Sequence, residues 1–233
     1  MNTPKDGGTI DNGFDGNIMV GRAAARSSSA ANLTVVEEAD ARGEAAELYQ
    51  RYRSHFDRPK VPGILKCFAT HPVLLKNMMG VAEDLLFVDG SLTRRHKEMV
   101  ATLVSTENTC PYCADSHGYA LRTLGGSAEQ LAALQTRDLT SPALTLQEQA
   151  LLAFVDKVTR ASHTIHRGDV DNLIEAGWSE LQIAEAIHVA ALFAAFNRIV
   201  NAFGVPSQHL LNVYENRDGI ARVETSTDLK GRQ

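Results

Sequence analysis

The stretch EMVATLVSTENTCPYCADSHGYALRTLGG, residues 98–126, decides how the rest of the chain is read. Met99, Val100, Leu103 and Val104 recur at the spacing of one helix face up to Glu107-Asn108, and a second helix-length run stops at Gly125-Gly126. Between them stands Cys110-Pro111-Tyr112-Cys113, followed four residues later by His117. Two cysteines three apart close a disulfide with little backbone movement, and a histidine one helical turn beyond the second is placed to accept a thiol proton. The pattern predicts a thiol redox site at the start of a helix.

With Cys110 at the N-cap, Pro111 falls at the first helical position, where its missing N–H costs nothing. Both sulfurs then lie near the positive end of the helix dipole, which favours thiolate. Cys113 and His117 share a face about 6 Å apart along the axis, whereas Cys110 and His117 are separated by about 10 Å. The two facts point to different nucleophiles: the dipole to Cys110, the histidine to Cys113.

Working outward, helical periodicity covers the chain from Val36 onward. A first helix is expected over Glu37–His55, a break at Arg58–Gly63, and a short helical turn near Ile64–Ala69. His71-Pro72 opens the next helix, which runs to the Asp89-Gly90 turn, and Ser91 or Thr93 caps the helix that carries Glu98. Further helices are expected at Ser127–Leu134, Leu146–Ser162, Asp169–Ala176 and Ser179–Phe203, the last closed by Gly204 and Pro206. Period-two alternation is absent at any convincing length, so the expected class is all-α: one domain over residues 34–216. A glycine- and serine-rich tail at residues 1–33 reads as disordered, and residues 217–233 as a polar C-terminal tail.

Composition narrows the function. The formal net charge of −5 over 233 residues, with no run of Lys or Arg, disfavours a nucleic-acid partner or a membrane surface. No segment reaches roughly 20 apolar residues without a polar break, so no membrane span is expected. Three cysteines, an odd number in a long chain, favour a reducing, cytoplasmic location. Asp6, Asp11 and Asp15 precede the longest apolar run of the tail, Ile18-Met19-Val20, against an export signal and against reading Arg22–Ser29 as a transit peptide.

Several readings of the cysteines compete. Glutaredoxins carry the same tetrapeptide, but a thioredoxin-like fold needs strands around it, and here helices flank it on both sides. Cys110, Cys113 and His117 offer three zinc ligands, yet a structural site takes four, and Cys67, between Leu65 and Phe68, reads as buried packing. Two cysteines packed as small apolar residues are opposed by the turn and polar residues Pro111, Asp115 and Ser116. On pattern alone Glu98 reads as a solvated carboxylate. His188 reads as a core or interface histidine, Asn197 and Arg198 as an interior contact or oligomer interface, and Trp178 as a hydrophobic staple before Ser179. No role is assigned to His96, His163, His166 or His209.

The order Val61-Pro62, Glu98, Cys110, Cys113, His117 and then Ala191–Arg198 (ALFAAFNR) resembles the alkylhydroperoxidase D-like (AhpD-like), carboxymuconolactone decarboxylase superfamily, and within it the peroxidase-related branch. The similarity spans about Val36 to Asn212. Its core is a Glu twelve residues before the first Cys, the CxxC pair, and a His four residues after the second. The resemblance implies an AhpD-like helical bundle, assembled as a homo-oligomer such as a trimer or a multiple of trimers. It also implies a thiol-dependent peroxidase that reduces hydroperoxides without cofactor or metal. Cys113 would attack the peroxide and become the sulfenic acid, and Cys110 would resolve it to a disulfide. Glu98 and His117, linked through water, would deprotonate Cys113, and an external dithiol or disulfide reductase would restore the pair. The best-known members carry a His directly before the second cysteine where this chain has Tyr112, which shortens the relay. The alternatives are a lactone decarboxylase or isomerase of the same superfamily, and a non-enzymatic redox-sensing dithiol protein. An internal repeat of two degenerate helical halves is drawn from one interval: Glu98 precedes Cys110 as Glu185 precedes Asn197, with glycines at Gly125 and Gly204.

Overall fold

The structure, a computed structural model, describes residues 31–214. The terminal tails expected from the sequence therefore lie outside the described residues, apart from residues 31–33, where the backbone N–H groups of Asn32 and Leu33 donate to Phe203 O. Among the described residues there are no strands: the fold is all-α.

Among the described residues nine α-helices follow in order: α1 Gly43–Phe56, α2 Gly63–Phe68, α3 Pro72–Val81, α4 Arg94–Glu107, α5 Pro111–Thr123, α6 Ala128–Thr136, α7 Leu146–Ala161, α8 Arg167–Glu175 and α9 Glu180–Phe203. Their starts obey local chemistry. Thr93, Ser127, Thr145 and Ser179 each accept a backbone N–H of the first turn, and the last three form reciprocal capping boxes. Gly204 ends α9 in the left-handed conformation, φ 72°.

Two elements depart from the sequence expectation. α1 begins at Gly43 rather than Glu37, because the acidic pair ahead of it is used in tertiary contacts: Glu38 accepts the Val61 N–H at 2.9 Å and Glu37 pairs with Lys66 at 2.7 Å. The helix expected to run on to Asp89 changes after Val81 into a π-helical turn, Ala82–Leu86, closed by Phe87 N–H donating to Ala82 O at 3.1 Å.

α4 is the centre of the molecule. Every residue from Lys97 to Ser105 is buried, against α5, α7 and α9. One apolar cluster joins α4, α7 and α9, and a second joins α1, α2 and α3 to Phe196 of α9. α9 has the length and apolarity to cross a membrane, but Ile183, Ala186, Val189 and Phe193 are buried in the protein as a core face. The buried Lys97 is compensated: its Nζ donates to Leu85 O (2.7 Å) and Val88 O (2.9 Å) and pairs with Glu185 (2.6 Å). That node fixes the chain leaving the π-helical turn against α4 and α9.

The repeat drawn from the 12-residue interval does not extend to the helices. Glu98 and Cys110 lie on two elements separated by a break, whereas Glu185 and Asn197 lie on the single continuous helix α9. His188, expected in a core or interface, is exposed on α9 of the protomer.

Candidate active site

The redox motif begins where α4 ends. Thr109 adopts φ +50°, and the N–H groups of Thr109 and Cys110 donate to Thr106 O and Ser105 O, the paired bonds of a Schellman closure. Glycine is the usual residue at such a left-handed position, and a β-branched one there holds strain of about 1–2 kcal/mol. The turn drops Cys110 directly onto the N-cap of α5, as the sequence predicts.

Cys110 Sγ accepts the Cys113 N–H at 3.4 Å, and the two sulfurs are 2.8 Å apart. Both residues are buried, at 1% and 4% exposure, and all three cysteines are free thiols. The hydrogen bond between the two sulfurs pulls the Cys110 thiol below its ordinary value, against the opposing effect of burial. Cys113, at the other end of that hydrogen bond and itself desolvated, is pushed far up. The two thiols are thus set apart, Cys110 the more acidic and Cys113 the less. Burial pushes the third thiol, Cys67, up to about 11, which keeps it a neutral packing residue.

His117 lies one turn beyond Cys113. Its Nδ1 pairs with Glu98 Oε2 at 2.7 Å, a direct bond where water was expected. Glu98 is completely buried on α4, which corrects the solvated reading that its apolar neighbours suggested. The His117 ring stands edge-on to Phe193 of α9, with centroids 4.4 Å apart. It lines a predominantly apolar cavity of about 80 Å³, together with Tyr52, Phe56, Phe68, Phe193 and Phe196. Ala82, Glu83 and Leu86 of the π-helical turn, with Phe87, line the same cavity, and Glu83 pairs with Arg51.

Asn197, read from sequence as an interior contact, is that and more. It is fully buried, donates from Nδ2 to Ser105 Oγ and accepts the Asn108 side chain at Oδ1, both at 3.0 Å. It also stands near enough to the two sulfurs to lower both thiols. A lone Asn after Phe196 in an otherwise apolar run was its only signal.

Tyr112 occupies the position of the extra relay histidine but takes no part in the Glu98–His117 pair. Its ring is buried, its hydroxyl accepts from Gln208 Nε2 at 3.0 Å, and desolvation keeps the phenol un-ionised. Residues 205–214 run over this outer face of α5. Asp115 holds them through the Leu210 N–H (2.9 Å), the Leu211 N–H (3.1 Å) and the Ser207 hydroxyl (3.0 Å), and Val205 packs on the cysteine cluster.

The four residues singled out from sequence, Glu98, Cys110, Cys113 and His117, are therefore brought to one place. Among the described residues no group of three or more His, Cys, Asp or Glu side chains could hold a metal ion. What the arrangement offers chemically is a dithiol poised to close, a buried carboxylate–imidazole pair, and an apolar cavity that the imidazole lines.

Comparison with known proteins agrees with this geometry. The carboxymuconolactone decarboxylase family matches residues 72–157, which include all four of these residues. An alkylhydroperoxidase AhpD core, an uncharacterized peroxidase-related protein from Ralstonia eutropha JMP134, superposes with a TM-score of 0.70 at 23% identity, over 79% of this chain and 96% of that one. A peroxidase-related protein from Silicibacter sp. TM1040 gives 0.66 at 26% identity, over 78% and 93%. The debrominase Bmp8, in complex with 2,3,4-tribromopyrrole, gives 0.64 at 16% identity, over 80% and 98%, a likeness of fold alone. No curated protein matches the chain.

Proposed function

Because the chain belongs to the AhpD-like, carboxymuconolactone decarboxylase superfamily, we propose that it is a thiol-dependent peroxidase that reduces hydroperoxides through Cys113 and Cys110. The observation that carries the reading is the sulfur pair, 2.8 Å apart, beside the buried Glu98–His117 pair.

The cycle balances on the residues present. The Cys113 proton passes to His117, so that Cys113 thiolate attacks the outer peroxide oxygen. The O–O bond breaks, Cys113 becomes the sulfenic acid, and the leaving alkoxide takes a proton from His117. Cys110 then attacks the Cys113 sulfur; water leaves with the Cys110 proton, and the disulfide forms. Glu98 fixes the His117 ring through Nδ1, leaving Nε2 to carry the proton. An external dithiol or disulfide reductase returns two electrons. The same reading takes the working form as a homo-oligomer, a trimer or a multiple of trimers, in a reducing, cytoplasmic setting. Steady-state reduction of tert-butyl hydroperoxide with dithiothreitol tests it: wild type turns over, while Cys113→Ser and Cys110→Ser do not. Turnover in either serine variant at the wild-type rate would exclude the dithiol cycle.

The aromatic walls of the cavity favour one second reading. They accommodate a planar ring as well as an alkyl chain, so the same dithiol could reduce an aryl bromide to the arene, bromide and a disulfide. Bromide release from a brominated pyrrole, absent in Cys113→Ser, is the measurement that separates the two.

A further inference from the structure

Glu98 uses only one of its carboxylate oxygens on His117. The other, Oε1, is buried and has no hydrogen-bond partner. Facing it is Arg94, one helical turn earlier, whose Nε is likewise buried and without a partner, 3.6 Å away. Two unsatisfied groups of opposite charge pointing at one another at just more than hydrogen-bond length are unusual inside a protein. The guanidinium also lies over the Phe87 ring, 5.5 Å from its centroid, and Phe87 lines the same cavity as His117.

Helix stability does not explain this arginine. It is the first residue of α4, where the dipole disfavours a cation, and Arg preceding Glu at i,i+4 is the weaker order of the pair. A residue set against local preference calls for a reason at the site.

Resting on the peroxidase reading above, we propose that Arg94 is a positioning residue of the proton relay: it holds the Glu98 carboxylate with Oε2 toward His117 and closes onto Oε1 as the relay turns over. A buried carboxylate bonded through one oxygen is free to rotate about its last torsion. An arginine whose side chain is 36% exposed while its Nε is buried restrains that rotation and stays partly solvated. Glu98 is wholly desolvated, so the restraint is not weakened as a surface ion pair is. The stack on Phe87 fixes the arginine from the cavity side.

The test is single-turnover oxidation of the fully reduced protein by tert-butyl hydroperoxide, read by loss of free thiol, with re-reduction of the disulfide by dithiothreitol as a second readout. Arg94→Met is expected to slow oxidation about tenfold and leave re-reduction unchanged, and Arg94→Lys to recover most of the rate. If Arg94→Met fails to fold, Arg94→Gln takes its place. In the Glu98→Gln background the same replacement should change oxidation less than twofold, because the group it acts through is gone. Wild-type oxidation in Arg94→Met, or a further tenfold loss in the double variant, would overturn the proposal while leaving the dithiol cycle intact. Wild-type oxidation in Glu98→Gln would instead remove the relay itself, and this proposal with it.

Discussion

Asn197→Ala tests how the buried polar groups of the site support the sulfurs. In the wild type Asn197 satisfies Ser105 Oγ and accepts from Asn108, and it lowers both cysteine thiols. Removing it strands the fully buried Ser105 hydroxyl, at a cost of about 1–3 kcal/mol, and the truncated side chain adds a small cavity, for a total of about 2–4 kcal/mol. For a domain of this size that is a fall in Tm of roughly 5–15 °C. The same variant should raise the pH at which the first thiolate forms, since a polar group that lowers both thiols has been lost. Thermal denaturation by circular dichroism and thiolate absorbance against pH measure the two effects. Ser105→Ala added to Asn197→Ala removes the stranded hydroxyl, so the double variant should melt no lower than the single. A variant with unchanged melting and an unchanged thiolate onset would refute the role given to Asn197.

Two further perturbations follow from the same geometry. Asp115→Ala deletes the acceptor of three hydrogen bonds from residues 207–211 and should loosen the segment that covers α5; alkylation of the reduced cysteines by iodoacetamide is expected to quicken by about tenfold or more, and equal rates would show that this segment does not limit access. Burial pushes the Glu148 carboxyl up, but the Arg95 bond (2.8 Å) and the Thr145 N–H (2.9 Å) outweigh it and hold the group below its ordinary 4.5. A folded value below the unfolded one gives stability that is complete above 4.5 and is lost as pH falls through the folded value. Glu148→Gln should therefore melt lower at neutral pH and show a shallower decline in acid. Parallel acid limbs for the two proteins would contradict that assignment.

Most of the helices were legible because their ends are written locally: Thr93, Ser127, Thr145 and Ser179 as caps, Pro72 and Pro111 at first positions, Gly204 as a stop. The features that were not legible depend on distant contacts. The π-helical turn contains no proline or glycine to announce it; it lies between α3 and a segment that Lys97 and Glu185 pin from α4 and α9. The left-handed closure before Cys110 falls on Thr109, a residue type that local rules do not place there. Glu98 looked solvated because amphipathic reasoning assumes one exposed face, and the middle of α4 has none: nine consecutive residues are buried. The family resemblance paired it with His117 through water, whereas the bond between them is direct. The cavity is invisible to any local reading, since α1, α2, α3 and α9 supply its walls from positions more than a hundred residues apart. Arg94 and Asn197 were obscured for a related reason: each is a single polar residue whose meaning lies in the partner it meets, not in the run that contains it.

The central claim, that Cys113 attacks and Cys110 resolves, is tested most directly by trapping the first oxidation product. Reduced wild type, Cys110→Ser and Cys113→Ser are each given one equivalent of tert-butyl hydroperoxide in the presence of dimedone, and the adduct is located by mass spectrometry. The lowered Cys110 thiol and the raised Cys113 thiol make this a demanding test, because attack by Cys113 runs against that order of acidity. The account predicts an adduct on Cys113 in Cys110→Ser and none in Cys113→Ser. An adduct on Cys110 in Cys113→Ser, with Cys113 unmodified in Cys110→Ser, would contradict it and reverse the two roles.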